Sequence, residues 1–121
     1  MTPFIYAHNV VSAIEADNGE IFSGSCIESC GGVGNLCAER VAALNMYTNS
    51  GQTHIKRIIA FRDEAPSEAE SNSLPCGACR EFLMQLDAQN KDTEILVDYQ
   101  SRKTTTLEKL IPNWWGLSRQ S

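Results

Sequence analysis

Nothing in this 121-residue sequence is long and apolar enough to cross a bilayer. The longest apolar stretches, such as Ile58 to Phe61 and Ile95 to Val97, fall far short of the roughly 20 residues that a spanning helix needs. The N-terminus lacks the basic region and apolar core of a signal peptide, so the expected location is the cytoplasm, with no membrane partner. No run of lysine and arginine exceeds a pair, as at Lys56-Arg57 and Arg102-Lys103, and the net charge is −5. A nucleic-acid groove needs a dense basic footprint, so nucleic acid is not the expected partner and a small uncharged or cationic molecule suits the balance better. There is no internal repeat and no low-complexity segment, and the length suits a single domain over residues 1–121. Cysteine is present five times, an odd number. In a reducing compartment such thiols are metal ligands or buried side chains rather than a disulfide framework.

Hydrophobic periodicity predicts a strand over Asn9 to Ala16, a turn at Asp17-Asn18-Gly19 and a second strand over Glu20 to Ser25. Cys26 to Leu36, with Gly31-Gly32 and Gly34, reads as a loop. A helix is expected from Cys37 to about Thr48, with Val41, Ala42, Leu44 and Met46 as its apolar residues and Asn49-Ser50-Gly51 as its stop. Ile55 to Phe61 reads as a buried strand, and Arg62 to Ser73 as a mobile acidic surface loop near the site. A second helix is expected over Cys76 to Leu86 with Ala78, Phe82, Leu83 and Leu86 inward, then strands over Glu94 to Tyr99 and Lys103 to Thr106. The connection around Gln100 to Arg102 is too short for a crossover helix, so these last two strands should pair antiparallel. Leu107 to Ile111 could add a short helix before Pro112. The sum is an α/β domain with a mixed sheet.

Cys76-Gly77-Ala78-Cys79 puts two sulfurs at a spacing of three on the first turn of a predicted helix, where both can reach one zinc ion. Cys37-Ala38-Glu39-Arg40 puts a third thiol at another helix start, with a carboxylate two residues on. Helix N-termini carry partial positive charge and favour thiolate over thiol. Three thiolates on zinc leave the site net negative. Arg40 and Arg80, each directly after a ligand segment, could donate hydrogen bonds to the sulfurs and keep the metal acidic enough to ionise water near a pKa of about 7.

These two segments, Cys37-Ala38-Glu39-Arg40 and Pro75-Cys76-Gly77-Ala78-Cys79-Arg80, resemble the signatures of the small homotetrameric cytidine deaminases, and the resemblance runs from about Asn9 to Pro112. It implies a three-layer α-β-α fold, one zinc per chain on Cys37, Cys76 and Cys79, and a nucleoside substrate. It also implies a homo-oligomer, tetramer or dimer, working in pyrimidine salvage. Glu39 would then be the general acid and base that takes a proton from the attacking water to the pyrimidine N3 and helps ammonia leave. The Ala38 backbone matches a position that contacts the pyrimidine. Relatives acting on ribonucleosides carry an Asn-x-Glu segment that grips the sugar hydroxyls; here the matching positions are Cys26 and Glu28. A thiol replaces an amide poorly, so ribose would be held differently or not at all; the resemblance to the blasticidin S deaminases, a sister group with altered sugar contacts, implies that this scaffold accepts non-standard cytosine nucleosides. His8 falls where relatives place a pocket-lining aromatic, and Met1 lies only a few residues before the first strand, where relatives begin with a helix.

Other readings stand beside this one. Cys76 and Cys79 could be a redox pair, though that leaves Cys37 and Glu39 unexplained. Cys26, Cys30 or His54 could close a structural zinc site as fourth ligand, making the chain a non-catalytic zinc-stabilised binding module. Within enzymes, the alternative is a deaminase of a modified nucleoside or another aminated heterocycle. Glu28 and Glu39 taken alone are ordinary loop and first-turn acids. Glu64, Glu68 and Glu70 read as a solvated acidic run, and Trp114-Trp115 as core packing or a cover for a neighbouring subunit's pocket.

Overall fold

The predicted hairpin is present, and its strands are longer than periodicity suggested. A computed structural model describes residues 3, 5–30, 35–62, 64–68 and 74–119, without the side chains of residues 6–9 and 118. β1 spans Ile5–Ala16 and β2 spans Ile21–Ser29. The expected loop therefore begins later than Cys26: Ile27, Glu28 and Ser29 still pair with Ala7, Tyr6 and Ile5. Strand pairing overrides the polar composition there, because the register with β1 continues past a bulge between Ala7 and Val11. Gly31, Gly32, Gly34 and the side chain of His8 lie outside the described residues.

Helix α1, Ala38–Ser50, starts after Cys37 and stops at Gly51, which adopts φ 72° and returns its N–H to the Tyr47 carbonyl at 2.9 Å. The left-handed stop is the one the sequence signalled. α1 lies very close over β2 at Gly24, where a Cβ would stand 2.5 Å from the Ala42 nitrogen and 2.8 Å from the Val41 Cβ. β3, Ile55–Arg62, is followed by helix α2, Gly77–Leu86, and by β4, Glu94–Asp98, which pairs parallel with β3. β5, Lys103–Thr106, returns antiparallel to β4 as expected, and α3 is a single turn at Leu107–Leu110. The sheet order is β2-β1-β3-β4-β5. No described helix is long and apolar enough to cross a membrane.

Alternation along the strands divides the sheet into two faces. Ser12, Ile14, Ile58, Ala60 and Ile95 are buried and form one face, under Ala42, Ala43 and Met46 of α1 and Leu83 and Met84 of α2. Ala78, expected on the inner side of α2, is exposed instead, and Leu44 of α1 is exposed as well. The other face presents Val11, Ile21 and Phe61 to solvent, and no second helical layer over it occurs among the described residues.

A buried amide that periodicity cannot reveal locks the core side together. Asn90, in a 3₁₀ helix at Ala88–Asp92, accepts from the Ile55 N–H at 2.7 Å and donates to the Thr53 and Leu83 carbonyls at 3.0 and 2.9 Å. It thus ties the start of β3 to α2. The segment after β3 is also better anchored than a mobile loop: Tyr99 N–H donates to the Pro66 carbonyl at 2.8 Å, and Lys103 pairs with Glu68. Residues 69–73, including Glu70, lie outside the described residues. Trp114 packs against the core while Trp115 is exposed, and both indole N–H groups donate to the Glu81 carboxylate. With Gln85 and the two indoles donating to it, the Glu81 carboxyl titrates below the usual glutamate range.

Replacing Asn90 by alanine strands an N–H and two carbonyls in the interior, at about 1–3 kcal/mol for each unsatisfied group before relaxation. We expect Asn90→Ala to lower the urea midpoint by an amount equivalent to roughly 3 kcal/mol, with unchanged slope. Gly24→Ala must push α1 off the sheet, and should cost about 1–3 kcal/mol by the same measurement.

Candidate metal and catalytic site

The two cysteines that precede the helices occupy equivalent places. Cys37 is the N-cap of α1 (φ −72°, ψ 151°) and Cys76 the N-cap of α2 (φ −68°, ψ 169°), and neither caps through its side chain. A thiol is a poor capping acceptor, so the first-turn N–H groups remain available to stabilise negative charge at the sulfurs. The two helix starts converge: Cys37 Sγ lies 3.5 Å from Cys76 Sγ, which lies 3.5 Å from Cys79 Sγ. All three sulfurs fall within 4.8 Å of one another, with Cys79 buried and Cys76 exposed.

This spacing suits a zinc ion. A tetrahedral ion with Zn–S bonds of about 2.3 Å sets its sulfurs about 3.8 Å apart, close to the separations present. No fourth His, Cys, Asp or Glu donor joins the group among the described residues. Cys26 and Cys30 stand outside it, and His54 instead faces Asp17 at 3.4 Å. None of the three fourth ligands that the sequence offered for a closed structural site, Cys26, Cys30 and His54, therefore joins the group. All five cysteines are free thiols.

The thiols differ in their electrostatics. Burial, then the Glu39 carboxylate and the neighbouring sulfurs, push the Cys79 thiol far up. Burial also works against the Cys76 thiolate, but the N–H groups of Cys79 and Ala78 and the adjacent thiols outweigh it and lower its pKa. Arg40 reaches the cluster with its Nη2 3.6 Å from Cys37 Sγ, and this contact raises the pKa of the guanidinium. Arg80 does not do the same. Its Nε donates to the Pro75 carbonyl at 2.8 Å and its Nη1 to the Leu110 carbonyl at 2.9 Å. The symmetric pair of sulfur-binding arginines is thus corrected to one, because Arg80 is drawn to the backbone that leads into Cys76 and to the end of α3.

Glu39 is 1% exposed, and neither carboxylate oxygen has a hydrogen-bond partner. An unpartnered buried carboxylate is expensive and is retained where a ligand or reacting group satisfies it. Ala38 is fully buried beside it. On β2, Cys26 lies within the electrostatic reach of Cys37, Glu28 and Glu39; burial first, then these three negative groups, raise its pKa. The structure therefore gathers Cys37, Cys76, Cys79, Glu39, Arg40 and Cys26 in one region, with Glu28 two residues along the strand from Cys26. Arg62, read from the sequence as the start of the acidic loop, is instead the last residue of β3.

Comparisons with known proteins agree with this geometry. The family described as "Cytidine and deoxycytidylate deaminase zinc-binding region" matches residues 6–92. The chain is 33% identical over 109 residues to a blasticidin-S deaminase of Bacillus cereus, covering 87% of this chain and 75% of that one. It is 30% identical over 112 residues to a cytidine deaminase of Mycoplasma genitalium, covering 93% and 81%. Its fold resembles the crystal structure of cytidine deaminase from Mycobacterium tuberculosis with a TM-score of 0.70 at 21% identity, over 96% of this chain and 82% of that one. The cytidine deaminase of Burkholderia pseudomallei gives 0.68 at 21%, over 92% and 81%. With the zinc-binding region matched across most of its length and a three-thiol group able to hold one ion, the chain belongs to the cytidine and deoxycytidylate deaminase family of zinc-dependent hydrolases.

Proposed function

We propose that the protein hydrolyses the exocyclic amine of a cytosine nucleoside or close analogue, with Cys37, Cys76 and Cys79 as zinc ligands and Glu39 as the proton carrier. The observation that carries this reading is the buried, unpartnered Glu39 carboxylate beside a three-sulfur cluster that no fourth protein donor joins among the described residues. Zinc held by the three sulfurs would supply the Lewis acidity that makes a water nucleophilic near neutral pH. Glu39 is the group that moves a proton from the attacking water to the ring N3 as the C4–O bond forms. It then carries the second proton to the leaving amine, so that the C4–N bond breaks and ammonia departs. Arg40, at Cys37 Sγ, draws negative charge from the sulfurs and so preserves the acidity of the centre. The buried first turn of α1 at Ala38 offers its backbone to the pyrimidine, and Glu28 offers acceptors to sugar hydroxyls. We read the working form as a cytoplasmic homo-oligomer, tetramer or dimer.

One observation favours a modified nucleoside over cytidine itself. Cys26, on the strand beside the site, cannot supply the two donors and one acceptor of an amide. The relationship to a blasticidin-S deaminase at 33% identity points the same way.

We expect Cys37→Ser, Cys76→Ser and Cys79→Ser each to lower zinc stoichiometry, measured by metal analysis after dialysis against a weak chelator, while Cys30→Ser retains the metal. Glu39→Gln should keep its zinc and lose at least a thousandfold in ammonia release from cytidine, deoxycytidine or a substituted cytosine nucleoside. Loss of zinc together with activity in Glu39→Gln would instead make the carboxylate a structural part of the metal site.

A further inference from the structure

A sheet that meets water on one side alternates apolar residues inward with polar residues outward. The central strands β1 and β3 depart from that rule on the face away from the helices. The outward positions of β1 are Val11, Ala13 and Glu15, since Ser12, Ile14 and Ala16 are buried on the helical side. Those of β3 are Phe61, Ile59 and Arg57, alternating with the buried Ala60 and Ile58. The register sets them opposite one another, Val11 with Phe61, Ala13 with Ile59 and Glu15 with Arg57. Val11 is 47% exposed, Phe61 38%, and Ile21, beside Glu15 at the start of β2, 64%. A hollow of about 410 Å³ runs over Ala13, Glu15, Ile21, Arg57, Ile59 and Leu96.

We propose that this bare face docks a second copy of the chain, sheet against sheet, about a two-fold axis that runs along the strands midway between β1 and β3. This rests on the homo-oligomer reading above, for which it names a surface, and is independent of the chemistry at Glu39. Rotation about that axis lays β1 over β3 of the other copy. By the register, Val11 then meets the partner's Phe61, Ala13 meets the partner's Ile59, and Glu15 meets the partner's Arg57. Packed sheets stand about 10 Å apart and cross at about 30°, so the opposition is closest for these three pairs beside the axis. An axis across the strands would instead lay the apolar row of Val11 and Phe61 over the charged row of Glu15 and Arg57. The charges decide the occupant. Arg57 Nε lies 3.3 Å from Glu15 and Lys56 Nζ 3.7 Å from it, so the row carries both signs. A partner of one sign would be repelled at one end of the pair, whereas a two-fold copy presents the opposite sign to both. A small ligand fits less well, because such sites converge polar groups on the ligand. The buried polar atoms without partners among the described residues belong to Glu39 and Arg40 of α1, on the other face of the sheet.

The test follows sedimentation velocity over a concentration series of the zinc-loaded full chain, with zinc content and thermal midpoint as folding controls. The parent is compared with Glu15→Arg and Arg57→Glu, each alone and the two mixed in equal amounts, and with Phe61→Gln. The parent should self-associate. Each charge variant alone sets like charges across the axis at two places, and should weaken association by about tenfold or more. Mixing the two should restore association, because each brings the charge that the other lacks across the axis, while the pair within each chain stays like-charged. That recovery separates a contact between chains from the ion pair within one. Phe61→Gln, which leaves the charges as they are, should weaken association as well. A parent that assembles, with all three variants assembling equally well or with no recovery on mixing, overturns the sheet interface and leaves the homo-oligomer reading standing. A parent that is monomeric at every concentration overturns both and leaves the deaminase reading untouched.

Discussion

Negative charge gathered in a small, partly buried volume is the constraint around which this molecule is arranged. Two thiolates at the separations present repel by about 4 kcal/mol even at an effective dielectric constant of about 20. The cluster holds three sulfurs, with the Glu39 carboxylate close enough to raise the Cys79 thiol. Such a set can persist only where positive potential is built in. Two helix N-termini supply part of it, Arg40 supplies another part, and a divalent cation supplies the largest. The chain has thus been shaped to make a site that is incomplete as protein alone.

Bringing two helix starts to one point demands that the helices be fixed independently of the metal. Gly24 lets α1 settle onto β2 at a distance no larger residue permits, which sets where Cys37 and Glu39 stand. Asn90 fixes α2 from the other end by joining Leu83 to the start of β3, and Arg80 clamps the segment leading into Cys76 through the Pro75 carbonyl. Each constraint acts on a helix that carries ligands. None touches the sulfurs directly.

The parts legible in the sequence were those governed by spacing. Cys76 and Cys79 at an interval of three, and Cys37 with Glu39 two on, translate directly into positions on helix first turns, and the order of strands and helices follows from alternation and stop signals. The parts not legible depend on contacts between distant segments. The continuation of β2 through Glu28 is decided by its partner strand, and the choice of Arg80 between sulfur and carbonyl is decided by where α3 ends. Asn90 reads as an ordinary polar residue until three backbone segments meet around it. Arg62 reads as the edge of a loop, whereas pairing with Val10 makes it the last residue of β3.

The two indoles bonded to Glu81 have a practical consequence. They are the only tryptophans in the chain, and Glu81 stands two residues beyond Cys79 on the same helix. The whole of the protein's intrinsic tryptophan emission therefore originates from groups tethered to the helix that carries Cys79. The chain contains its own optical gauge of how that helix is seated.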